Sequence, residues 1–170
     1  MEKIKVISLV KTNIWLKSAV FVIFLAISML SPFLKQQFIT GPIVNAVLFL
    51  TTAFLGISAG VLIGFLPSLV SAFVGLLPLP LLPMIPYIIM GNAVLVLIFG
   101  VLKKKSFGLG VILAGFVKFL LLYSVSSLFL SLPKPIIAMM AWPQLITALM
   151  GGIIAYFLLK FLKYEKKNLS

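Results

Sequence analysis

The sequence has no cysteine, no histidine and no arginine, and its only acids are Glu2 and Glu165. Without cysteine there is no disulfide, no iron–sulfur cluster and no thiol nucleophile. Without histidine, and with no acid inside any apolar run, the usual zinc and transition-metal ligand sets cannot be assembled. The carboxylate relays that drive proton pumps are excluded for the same reason. General acid–base chemistry would fall to lysine or tyrosine alone, so an enzyme is not expected, nor is any metal or cofactor. Charge is scarce as well. Only 9% of the 170 residues are charged and 63% are hydrophobic, whereas soluble domains carry about a quarter charged residues. The chain therefore reads as a multi-pass membrane protein.

What remains is apolar segments and lysine. A spanning helix needs about 20 mostly apolar residues. Six such segments are expected, at 14–34, 42–55, 57–77, 84–102, 107–132 and 136–162, forming one all-α six-helix membrane domain. Pro42 and Pro86 are expected in first helical turns, where a missing N–H is harmless. The net charge of +12 does not point to nucleic acid, because the lysines lie between apolar runs and not on a polar face. They give a topology signal instead. Lys3, Lys5, Lys11, Lys17, Lys103, Lys104, Lys105, Lys160, Lys163, Lys166 and Lys167 share one side of the membrane if the spans alternate, and Lys35 and Lys134 lie on the other. The positive-inside rule then puts both termini in the cytoplasm of a plasma-membrane protein.

Two stretches carry a second reading. "KSAVFVIFLAIS" has a basic start, a short apolar core and an Ala26-x-Ser28 pair like a signal-peptidase site. The apolar run continues through Met29, Leu30, Phe33 and Leu34, which favours a retained helix. Gly56, Gly60, Gly64, Ser68 and Ala72 repeat at every fourth position, a spacing that lets helices approach closely. Packing within the chain is the plainer explanation, and a docking face on Gly56, Gly60 and Gly64 is the sharper one.

Lys118 stands alone among apolar residues, thirteen positions after Lys105 and sixteen before Lys134. At 1.5 Å per residue it is roughly 20 and 24 Å from those ends, near midplane and too deep to reach either surface comfortably. Exposure to lipid there costs about 2.5–3.5 kcal/mol on insertion scales, so the side chain is expected to face the bundle interior. Either carbonyls, hydroxyls or water satisfy it, or it is neutral, or its counter-charge comes from outside the chain. Asn45, Asn92 and Gln144 fall in the outer half of neighbouring segments, and Tyr123 lies about one and a half turns outward of Lys118. Together they are expected to line a cavity closed inside and open outside, with Phe116 and Phe119 as further aromatic walls. Two covers are expected over its mouth. One is "LKQQFITGP" with Gln36, Gln37 and Thr40, and the other is the proline-rich "LLPLPLLPMIP" with Pro78, Pro80 and Pro83, read as a stiff extended lid.

Gly41-Pro42-Ile43-Val44-Asn45-Ala46, the glycine-rich third segment followed by Pro78–Pro86, and Gly91-Asn92 resemble the substrate-binding (S) components of energy-coupling factor transporters. The resemblance extends over nearly the whole chain. It implies a six-helix protein that captures a small organic micronutrient in an outward pocket capped by the first and third outer loops, and Lys118 points to an anionic or strongly hydrogen-bond-accepting group on that solute. It also implies a coupling transmembrane subunit and two cytoplasmic ATPases as partners, which suits a chain with no phosphate-binding loop. The sequence is similar to a subgroup of unassigned substrate, some of whose members carry an "iron hydrogenase" label; a chain without cysteine cannot hold such clusters. One departure concerns docking. The Ala-x-x-x-Ala motif of many members is missing from segment one, where Ile23 follows Ala19 and Leu30 follows Ala26. The alternative to a solute-binding subunit is a structural or assembly membrane protein with a packed, empty interior.

Overall fold

The computed structural model describes residues 13–75, 79–130 and 132–168, and no strand occurs among them. Helix α1 spans Ile14–Leu30 and runs into a 3-10 turn, Ser31–Leu34. Its start is capped by Asn13, whose side chain accepts from the Trp15 and Leu16 amides. Helices α2 (Gln37–Phe54) and α3 (Ile57–Phe73) follow, then a second 3-10 turn, Leu79–Met84, leading into α4 (Ile85–Leu102). Helix α5 (Phe107–Ser124) ends in a π-helical turn, Val125–Phe129, where the Ser126 and Ser127 hydroxyls both donate to the Tyr123 carbonyl. A short α6 (Lys134–Met140) and a long α7 (Trp142–Asn168) complete the bundle. Five of these stretches are long and apolar enough to cross a membrane, and α3 is a shorter apolar helix beside them.

Several expected boundaries move, each for a local reason. Segment two begins at Gln37, five residues before Pro42, so Pro42 lies inside the helix and not in its first turn. Those added residues bring α2 to 18, about 27 Å, where the expected 14 were too short to span. Most of "LKQQFITGP" is therefore helix and not a loose cover. The turn is made at Lys35, which adopts a left-handed conformation with φ 51°. The proline-rich stretch from Leu79 is likewise a 3-10 turn and not an extended lid, with Leu81 and Met84 buried beneath it. Pro80 and Pro83 are exposed on it, while Pro78 lies outside the described residues, as do Lys3, Lys5 and Lys11. Pro86 does occupy the first turn of α4.

The sixth expected segment is broken at Ala141, whose φ −89° and ψ −132° are not helical. Proline explains the break. Pro143 has no N–H to donate to the carbonyl four residues earlier, that of Met139, and its ring crowds the preceding turn. The consequence for the cavity is direct, because the Met139 carbonyl is left open to side chains.

Packing is densest where small residues let backbones meet. A Cβ placed on Gly151 of α7 would lie 2.7 Å from both the Ala46 nitrogen and the Asn45 Cβ of α2. Two apolar clusters result. The larger joins Leu48, Phe49, Ile63, Leu95, Phe99, Ala114 and Ala148, and the smaller joins Leu81, Met84, Leu122, Ile136 and Met140. Between them, one helical turn from each, lie Asn92 of α4 and Lys118 of α5. The bundle thus holds a polar layer between two apolar clusters.

Candidate functional site

Three residues from three helices make the polar layer. The Lys118 ammonium donates to Asn45 Oδ1 and to Asn92 Oδ1, both at 2.8 Å. All three side chains are buried. Each asparagine is oriented by its other end. Asn45 Nδ2 donates to Thr147 Oγ1 at 3.5 Å, and Asn92 Nδ2 donates to the Gly64 carbonyl at 3.1 Å. With the nitrogens directed outward, both amide oxygens turn to the lysine. Gly91 faces the lysine stem, and a Cβ there would meet Lys118 Cγ at 3.4 Å, an ordinary contact distance. In its protonated form the amine has three N–H donors, of which the two asparagines take two. Among the described side chains no carboxylate stands nearby, and the sequence has only two acids, Glu2 and Glu165.

Above this layer opens a cavity of about 210 Å³. Lys118, Asn45 and Asn92 line it, and so do Gln37, Thr40 and Gln144, which brings six of the expected residues into one space. Ile63, Val44, Ile85, Ile88 and Met140 give it apolar walls. At the end away from the lysine layer, the open Met139 carbonyl gathers two amides. Gln37 Nε2 donates to it at 2.8 Å and Gln144 Nε2 at 3.3 Å. Three separate elements are tied together there: the start of α2, the end of α6 and the start of α7. Thr40 adds a link to the first 3-10 turn, its hydroxyl donating to the Ser31 carbonyl at 3.1 Å.

Other expected residues fall elsewhere. Tyr123 does not line the cavity; its ring stacks on Phe119, which also stacks on Trp142 at 5.1 Å between centroids. Phe116 is exposed beside them. Residues 116, 119 and 123 are spaced to share one face of α5, and that face is turned away from Lys118. Gln36, Pro80 and Pro83 do not line the cavity either. The three glycines expected to dock a partner serve the chain's own fold. Gly56, at φ 100°, makes the turn between α2 and α3. A Cβ on Gly60 would lie 2.6 Å from Thr52 Oγ1 and 2.8 Å from a Val96 methyl, and one on Gly64 would lie 3.0 Å from the Asn92 Cβ.

The sequence reading missed four hydroxyls. Ser28, Ser68 and Ser71 line the cavity, and Thr147 orients Asn45. The Ser28 hydroxyl is buried with no hydrogen-bond partner among the described residues. Serine inside an apolar helix was the available signal, and at Ser28 it was absorbed into a peptidase-site pattern. No family model, curated protein or solved structure matches the chain.

Proposed function

We propose that this chain is the solute-capturing membrane subunit of an importer of the energy-coupling factor type. It takes a small organic solute from the outer face of the cell membrane into the cavity above Lys118. The observation that carries this reading is a lysine amine buried at the cavity floor between two asparagine oxygens, with no acid among the described side chains around it. Such an arrangement is costly when empty, since desolvation of an ion is only partly offset by two neutral amides. A solute bearing a carboxylate or phosphate supplies the missing charge and a charge-assisted hydrogen bond. An assembly protein with a packed interior has no reason to keep this lysine or the space above it.

With both termini cytoplasmic, the lysine-rich turn Lys103–Lys105 lies inside and the cavity opens outward. The larger apolar cluster closes the inner side. Nothing in the sequence binds nucleotide, so energy comes from partner subunits, namely a coupling membrane protein and two ATPases. The test is native purification followed by mass spectrometry of whatever small molecule is released on denaturation. A solute retained by the wild type and lost in Lys118→Met is expected. Equal retention by both proteins, or no solute and no concentrative uptake with any coupling partner, refutes the proposal. So does concentrative uptake by the purified chain alone.

A further inference from the structure

The cavity is not polar throughout, and its two polar ends differ in kind. The floor is a donor. Lys118 offers an N–H, and the oxygens of Asn45 and Asn92 that surround it are already engaged by the same ammonium. The rim is an acceptor. Because the Met139 carbonyl can only accept, Gln37 and Gln144 turn their nitrogens toward it. Their oxygens are left without a partner among the described residues, as is the second N–H of Gln37, and both side chains line the cavity. Between the ends lie Val44, Ile85, Ile88 and Met140, and the hydroxyl-bearing Ser68 and Ser71 also line the cavity.

The separation of the ends follows from α2, which carries a residue of each. Gln37 and Asn45 are eight positions apart on one helix, about 12 Å at 1.5 Å per residue. The volume of about 210 Å³ is some seven times the ~30 Å³ share of a liquid water. Covalently joined atoms take less space each, so a solute of on the order of ten non-hydrogen atoms fits.

We propose that the solute is a compact two-ended molecule: an anionic acceptor at the Lys118 floor, a short apolar middle, and a hydrogen-bond donor at the Gln37–Gln144 rim. A zwitterion, or a carboxylate bearing an amide or hydroxyl, has this form. The inference rests on reading the cavity as a solute site and adds the polarity of each end to it. The polarity of the rim comes from Pro143, whose missing N–H frees the carbonyl that orients both glutamines.

The experiment uses the full-length protein in nanodiscs, stripped of co-purifying molecules. Affinities are measured by calorimetry for straight-chain ω-aminocarboxylates of roughly four to seven carbons, sized to the cavity. Each is paired with the same carboxylate lacking the amino group. At one chain length the amino compound is expected to bind at least about fivefold more tightly, the scale of one hydrogen bond. In a Gln37→Leu, Gln144→Leu double variant that ratio falls toward one. Thermal unfolding checks that the variant is folded, and if it is not, the wild-type pairs decide alone. Equal affinities within every pair, or no binding by any member, overturn the inference. A retained solute that depends on Lys118 but has no donor group also overturns it, and leaves the importer reading standing. Loss of that reading shows separately, as no Lys118-dependent solute at all.

Discussion

Replacing the whole polar layer by apolar residues is expected to make the empty protein more stable and unable to hold solute. Lys118→Met alone removes the buried ammonium, which relieves a desolvation cost of several kcal/mol. It also strands Asn45 Oδ1 and Asn92 Oδ1, which have no other donor among the described residues, at about 1–3 kcal/mol each. These effects oppose one another, so the single variant should stay within a few kcal/mol of the wild type. Adding Asn45→Leu and Asn92→Leu removes the stranded oxygens. It gives up two further bonds, to Thr147 and to the Gly64 carbonyl, of about 1 kcal/mol each. The triple variant is then expected to exceed the solute-free wild type by about 1–4 kcal/mol, the gain seen when buried ions are replaced by well-packed apolar groups. Thermal unfolding in one detergent reads this as a rise of at least about 3 °C. Mass spectrometry of the same preparations reads the loss of solute. A triple variant less stable than both the wild type and Lys118→Met would refute the reasoning, because the layer would then be structural glue and not a site maintained at a cost.

Gly151→Ala is expected to destabilise the protein by about 1–3 kcal/mol, because its Cβ meets backbone and Asn45 Cβ at 2.7 Å. Gly108→Ala in α5 meets nothing within 4 Å and should be neutral or stabilising by up to about 1 kcal/mol, so matched melting curves separate crowding from helix propensity. Gly60→Leu and Gly64→Leu should lower the yield of folded protein even without any partner, measured by monodispersity in detergent; normal folding with loss only of complex formation would return these glycines to a docking role. Tyr123→Phe should leave solute retention within about twofold of wild type, since the ring stacks on Phe119 away from the cavity, and a tenfold loss would place its hydroxyl in the site.

Much of this was legible in the chain itself. The near absence of acids and the apolar runs imply a helical membrane bundle, since helices alone of single-chain elements satisfy their backbone within one apolar segment. The distance of Lys118 from both flanking lysines and the cost of lipid exposure imply an inward-facing side chain, and Lys118 is buried in the bundle beside Asn45 and Asn92. These inferences succeed because they depend on spacing along one helix and on the solvent. Boundaries were less legible where proline was read only as a helix opener. Pro42 sits within α2 and Pro143 splits the last span, because a proline's effect depends on whether its neighbours can use the carbonyl it leaves unbonded.

Tertiary structure alone decided the rest. Which face of α5 the aromatic residues share with respect to Lys118 depends on how α5 is rotated against α4 and α7, and that is set by packing over many side chains. The glycine spacing of α3 is compatible with any close neighbour; only the bundle shows that Thr52, Val96 and Asn92 are those neighbours. The rim of the cavity was the least accessible of all. Gln37 is brought from a distant point of the chain to Met139 and Gln144, where the carbonyl that Pro143 leaves unbonded accepts from both glutamines.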